Sequence, residues 1–131
     1  MSFSVLIIDD SKVVRRAVEA TLTAAGYGVL AAANGNEGMQ LWEETQPGLV
    51  ITDIMMPERD GIETIMEIRR QRPQAKILAM TGFHHSGSVD FGEMLRRLGA
   101  DDVLLKPFDP EVLLAKVDRL INLGPVELSA A

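Results

Sequence analysis

Leu49-Val50-Ile51-Thr52-Asp53-Ile54-Met55-Met56-Pro57 decides the fold. Its first residues are apolar without alternation, the pattern of a strand covered on both faces, and the run stops at a carboxylate. Working outward, Val5-Leu6-Ile7-Ile8, 77–80 and 103–105 read the same way, while 28–32, rich in alanine, is a weaker strand candidate. Each of the stronger runs ends on a residue able to do chemistry: Asp9-Asp10, Asp53, Thr81 and Lys106.

Helical patterns separate these runs. Residues 12–25 place Val14, Ala17, Val18 and Leu22 on one stripe and close at Gly26. Asn34 caps a helix over 35–45, which must stop near Pro47. Asp60, with Glu63 three residues on, resembles a capping box for a helix carrying Ile62, Ile65, Met66 and Ile68 and ending before Pro73. Ser88 is the expected cap of a helix with Phe91, Leu95 and Leu98 on one face, closed by Gly99. Asp109-Pro110 starts a last helix carrying Leu113, Val117, Leu120 and Ile121, which halts at Gly124-Pro125. Strand and helix thus alternate five times. That order specifies an α/β three-layer sandwich, a parallel sheet reached by right-handed crossovers and covered by helices on both faces.

A chain of 131 residues with 47% hydrophobic and 24% charged residues is expected to form one globular domain. We assign residues 1–124 to it and 125–131 to a short tail, either of a complete one-domain protein or of a module cut from a larger one. A net charge of −6 argues against direct binding to nucleic acid, whose phosphates are held by clustered Lys and Arg. The absence of cysteine excludes disulfides, thiol nucleophiles and Cys-based zinc sites, and suits a reducing cytoplasm. No basic segment precedes the first apolar run, so no signal peptide is expected at the N-terminus. No apolar stretch approaches the roughly 20 residues that cross a bilayer.

In an open α/β sheet the carboxyl ends of the strands line the ligand crevice. Asp9, Asp10 and Asp53 gathered there repel one another, and Mg²⁺, a hard cation that takes carboxylate, carbonyl, water and phosphate oxygens, relieves that repulsion. Histidine and cysteine are absent from these strand ends, which disfavours zinc. Lys106 adds a fixed positive charge that a metal alone does not require and a dianionic phosphoryl group does. Thr81 offers a hydroxyl donor to the same group. Asp53, on the central strand, is the best nucleophile, because aspartate can carry a covalent aspartyl phosphate.

With these residues in place, the sequence resembles a receiver domain of the two-component response regulator family. The matching motifs are Asp9-Asp10, Asp53 to Pro57 followed by Asp60-Gly61, Thr81-Gly82, Gly99-Ala100-Asp101-Asp102 and Lys106-Pro107-Phe108. Singly each is weak; five in order over about 5–122 are specific. The resemblance implies a flavodoxin-like strand order, 2-1-3-4-5, with five helices. It also implies that Asp53 accepts a phosphoryl group from a phosphohistidine of a sensor kinase or phosphotransfer protein. By the same carry-over, Asp10, Asp53 and the backbone carbonyl of Met55 ligate Mg²⁺, Asp9 acts through water, and Lys106 and Thr81 hold the phosphoryl oxygens. Such a protein is a signalling switch and not an enzyme in the turnover sense. Its readout face would be the fourth helix, fifth strand and fifth helix, turned toward a downstream protein, a removed output domain or a second copy of the chain. Val112 and Leu114, off the main stripe of the last helix, are the residues expected to serve such a contact.

Two departures from the family pattern stand out. Val103 occupies the place, three residues before the lysine, where members commonly carry Tyr or Phe; valine is too short and stiff to swing between two sites. Signalling is therefore expected through the 81–87 loop and the fourth helix. Met55 and Phe83, two residues beyond Asp53 and Thr81, are apolar and do not orient an attacking water, so slow loss of the phosphoryl group is expected. Other conspicuous residues have simpler readings. His84 and His85 suit a solvated loop, Trp42 with Met39 and Leu41 a packing surface, and Arg69, Arg70 and Arg72 the negative end of a helix dipole. Competing functions are a non-switching pseudo-receiver scaffold and, more distantly, an aspartyl-phosphate phosphatase.

Overall fold

A computed structural model describes residues 4–55, 61–82 and 89–122. Along the chain run β1 (Val5–Ile8), α1 (Lys12–Ala24), β2 (Val29–Ala32), α2 (Gly35–Thr45), β3 (Leu49–Asp53), α3 (Gly61–Gln71), β4 (Lys76–Gly82), α4 (Val89–Leu98), β5 (Asp102–Lys106) and α5 (Pro110–Asn122). The strands form one sheet in the order β2-β1-β3-β4-β5, every neighbouring pair parallel. This is the expected flavodoxin-like order with five helices.

Two apolar layers account for the sandwich. Val5, Ile7, Leu49, Ile51, Leu78 and Met80 face α1 and α5 through Val18, Leu22, Leu113, Val117 and Leu120. Leu6, Ile8, Val50, Ile77 and Ala79 face α2, α3 and α4 through Met39, Trp42, Ile65, Ile68 and Leu95. Runs such as Val5–Ile8 are continuous because successive side chains enter opposite layers, and both layers are buried.

Local signals are obeyed at most boundaries. Ser11 and Asn34 cap α1 and α2 by accepting from the N–H groups of Val14 (3.3 Å) and Glu37 (2.8 Å). Gly26 and Gly99 follow α1 and α4 at φ +98° and +133°. The expected caps Asp60 and Ser88, the Gly124-Pro125 stop and the 125–131 tail lie outside the described residues. Strands β4 and β5 run past their apolar cores to include Thr81-Gly82 and Lys106, because Thr81 still pairs with Leu105 and Gly82 with Lys106. A polar side chain does not end a strand whose backbone still has a partner. The helical stripes are narrower than the sequence suggests: Ala17 is exposed, and Met66 is 51% exposed beside buried Ile65. On α5, Val112 is exposed while Leu114 packs partly against the α1/α5 layer.

Arg69 does more than complement a dipole. Its Nε and Nη2 donate to the Gly99 carbonyl at 3.1 and 2.7 Å, its Nη1 to the carbonyls of Pro73 and Ala75 at 2.5 and 2.8 Å, and its Nη2 to Asp101 at 2.8 Å. Asp101 also accepts from the Ile77 N–H at 2.7 Å. One guanidinium therefore ties the end of α3 to the starts of β4 and β5. Arg72 lies 5.2 Å from the centroid of the Trp42 ring, a cation–π contact over a buried core residue.

Candidate functional site

The register levels the strand ends. Ile8 lies beside Thr52, Asp53 beside Met80, and Gly82 beside Lys106, so the residues that follow or close these strands meet at one sheet edge. Asp9 is fully buried, Asp53 is 6% exposed and Asp10 is exposed. One carboxylate oxygen from each lies within 4.8 Å of the others. Lys106 Nζ reaches Asp9 Oδ2 at 2.8 Å and Asp53 Oδ1 at 3.1 Å. The Lys106-Pro107 peptide is cis.

Within this cluster the three acids differ sharply in what already holds them. Asp9 is fully engaged: Oδ1 accepts from the Ser11 N–H (2.8 Å), Oδ2 from Lys106, its carbonyl from Arg15 Nη1 (2.8 Å), and its own N–H donates to the Ala32 carbonyl (3.1 Å). Asp10 receives no hydrogen bond on its carboxylate among the described residues. Asp53 is raised above the usual carboxylate range, first by burial and then by the charge of Asp9, with Lys106 opposing both. Burial alone would lower Lys106, but the hydrogen bond and charge of Asp9, then those of Asp53, outweigh it and hold the ammonium above its ordinary value.

Three carboxylates facing one ammonium leave the cluster net negative, and every donor in it is a hard oxygen. Such a set fits Mg²⁺ and does not fit zinc or copper. Thr81 is fully buried on β4, and its hydroxyl has no hydrogen-bond partner among the described residues. Buried hydroxyls are normally satisfied, so this one is suited to an incoming acceptor. Met55, two residues beyond Asp53, has its side chain 55% exposed. Phe83, His84 and His85 lie outside the described residues.

Three features were not visible in the sequence. Gly61 opens α3 directly on the end of β3, its N–H donating to the Ile54 carbonyl at 3.0 Å, and a Cβ there would lie 2.0 Å from the Asp53 carbonyl oxygen. Arg15 reaches back to the Asp9 carbonyl. Asp102, read from the sequence only as part of a motif, is 3% exposed and gathers Arg96 of α4 (2.7 Å), Lys116 (3.0 Å) and Arg119 (3.5 Å) of α5, and the Val103 N–H (2.8 Å). A strand-initial acid flanked by cations four or more residues away gives no local signal of such a cluster.

Beside the acids, an apolar groove of about 460 Å³ runs between α1 and the segment after β5, lined by Val13, Val14, Ala17, Pro107 and Phe108. Lys106 and Gly82 also line it. Val13 is 80% exposed. No helix among the described residues is long and apolar enough to cross a membrane.

Comparison with known proteins agrees with this geometry. The family of response regulator receiver domains matches residues 5–118. The chain is 32% identical over 123 residues to the alkaline phosphatase synthesis transcriptional regulatory protein PhoP of Bacillus subtilis, covering 93% of this chain and 50% of that protein. It is 36% identical over 124 residues to the transcriptional regulatory protein AfsQ1 of Streptomyces coelicolor, covering 95% and 53%. The chain thus spans about half the length of these curated relatives. Among solved structures, the chemotaxis protein CheY4 of Vibrio cholerae superposes with a TM-score of 0.83 at 32% identity, over 92% of this chain and 99% of that one. A CheY-like receiver domain protein of Methanospirillum hungatei gives 0.83 at 28% identity, over 93% and 95%.

Proposed function

Because the chain belongs to the response regulator receiver family, we propose that it is a phosphorylation-controlled signalling module whose acceptor is Asp53. The observation that carries this reading is the Lys106 ammonium shared between Asp9 and Asp53 at the edge of a three-carboxylate cluster. A phosphohistidine of a sensor kinase or phosphotransfer protein is the donor. An Asp53 oxygen attacks phosphorus, the new O–P bond forms as the P–N bond breaks, and the imidazole leaves with the electron pair and takes a proton from solvent. Asp10, Asp53 and the Met55 carbonyl would hold Mg²⁺, with Asp9 acting through water. Bound there, the metal would supply charge neutralisation for the phosphoryl oxygens. Lys106 shares that task, and Asp9 keeps the ammonium oriented. The apolar groove beside Lys106 offers the donor protein a seat on the open side of the acids.

Phosphorylation exchanges one carboxylate charge for about −1.5 to −2 and brings three acceptor oxygens. The Thr81 hydroxyl, buried and without a partner among the described residues, is the donor assigned to them, and its movement biases the segment leading to α4. The output face is α4, β5 and α5, where Met94, Leu105 and Val112 are exposed. It would be read by a downstream protein, by an output domain of a longer chain, or by a second copy through α4 and α5. We assign residues 1–124 to the receiver and place its work in the cytoplasm, without catalytic turnover. Val103, half-buried in the position that would carry the family's aromatic ring, favours one second reading, a pseudo-receiver that binds without switching.

Incubation with Mg²⁺ and a small phosphodonor, read by intact mass, tests the proposal. One added phosphoryl group is expected on the parent and none on Asp53→Asn. An unmodified parent, or equal modification of both, refutes the acceptor role. Beryllium fluoride, read by amide shifts, separates switching from scaffold behaviour.

A further inference from the structure

The peptide that joins Asp9 to Asp10 is anchored by Arg15, a residue with no other role in the site described above. Arg15 sits one turn beyond the Ser11 cap of α1, its N–H donating to the Ser11 carbonyl at 2.9 Å, and its guanidinium folds back along the helix to donate to the Asp9 carbonyl at 2.8 Å. A cation turned toward a helix N-terminus opposes the helix dipole, and what offsets it here is the acid pair Asp9-Asp10 directly before the Ser11 cap. The placement of Arg15 is therefore tied to the acid pair and not to α1 alone. Asp10 does supply a reason. Its carboxylate is exposed and takes no hydrogen bond among the described residues, so its direction depends on the backbone that carries it. The Asp9 carbonyl belongs to the peptide plane immediately before Asp10. Fixing that carbonyl restricts where the Asp10 side chain departs.

We infer that Arg15 is a positioning residue for the Mg²⁺ site, acting through the Asp9–Asp10 peptide. The inference rests on the receiver reading above, in which Asp10 is a ligand. Geometry and charge here predict opposite signs. Removing a positive charge near a cation site tightens cation binding if charge alone matters, whereas loosening the peptide weakens it.

Arg15→Met keeps a helix-compatible apolar stem and removes both charge and donors. Arg16→Met removes the same charge from the next, exposed residue without touching the carbonyl. Arg15→Lys keeps one charged donor on a stem of similar reach. Mg²⁺ affinity of the full chain, measured by titration calorimetry with MgCl₂ after thermal melts without metal verify folding, is expected to fall about tenfold in Arg15→Met, the usual order for groups that orient metal ligands. Arg15→Lys should recover most of that loss, and Arg16→Met should bind at least as tightly as the parent. Unchanged or tighter binding by Arg15→Met, an equal loss in Arg16→Met, or no recovery in Arg15→Lys overturns the inference. A parent that binds no Mg²⁺ overturns the receiver reading beneath it, so the two failures are distinguishable.

Discussion

Gly61→Ala is the most incisive perturbation of the site that leaves every functional side chain in place. Helix propensity predicts a gain, since alanine is favoured over glycine by up to about 1 kcal/mol in a helix. The structure predicts the opposite. The added Cβ would stand 2.0 Å from the Asp53 carbonyl oxygen, 2.7 Å from the Ile54 Cα and 2.8 Å from the Asp53 carbonyl carbon. All three are backbone atoms, so no rotamer change relieves the clash. An ordinary carbon–oxygen contact of about 3.3 Å requires the start of α3 or the end of β3 to retreat by about 1.3 Å. Overpacking of this kind costs about 1–3 kcal/mol, and the retreat also breaks the 3.0 Å Gly61–Ile54 hydrogen bond, adding about 1 kcal/mol. A net loss of about 2–3 kcal/mol follows, readable as a lower urea midpoint with an unchanged slope. Because the displaced group carries the proposed acceptor carboxylate, the rate of modification by a small phosphodonor should fall by about a hundredfold, the order expected for a 1 Å misplacement. Parental stability together with parental phosphorylation would refute the claim that α3 is seated against Asp53 through this glycine.

Arg69→Ala should cost about 3 kcal/mol and lower Tm by about 10 °C, since it strips donors from three carbonyls and Asp101 at once; thermal unfolding measures it. At Asp102, burial alone would raise the carboxyl, but the Val103 N–H and then Lys116 and Arg96 outweigh it and hold it below its ordinary 3.8. The unfolded chain therefore takes up that proton first. The contribution is complete above the unfolded value and is lost as pH falls through the folded one, so Asp102→Asn should cost about 2 kcal/mol at pH 7 and flatten the acid limb of a stability–pH curve. An acid limb identical to the parent's would contradict this. Phosphorylated protein freed of its donor should keep its label well beyond seconds, followed by intact mass, because Met55 and Phe83 provide no polar group to direct water. Beryllium fluoride should shift amides across 82–98; a silent segment would show that the signal leaves by another route.

The parallel strands and the meeting of Asp9, Asp10, Asp53 and Lys106 were readable because each apolar run carries its own terminus signal, whereas the strand order followed from the family resemblance. A buried parallel strand needs no alternation, and the charge that ends it reports which edge it reaches. Helix faces were less legible. Ala17 and Met66 adjoin true core positions and differ from them by one step around the helix, a distinction that packing decides and periodicity blurs. Arg69 looked like a dipole partner because the sequence shows only its helix, while two of its acceptors, Gly99 and Asp101, lie 30 and 32 residues away. Gly61 was legible only as part of a motif, and its steric role was hidden for a related reason: the Asp53 backbone that leaves no room for a Cβ there comes from β3. Long-range steric and charge partners are invisible to local pattern. They are also what sets the direction of each site residue.

Asp9 and Lys106 are 97 positions apart, and the division of charge follows the sheet. The three carboxylates stand at the ends of the neighbouring strands β1 and β3, while the cation stands on β5 at the sheet's edge. Pairing of β5 into the sheet thus carries an electrostatic reward beyond its ladder. A fragment lacking β5 would keep the acids without the cation that makes them usable, which makes competence at this edge a property of the whole fold.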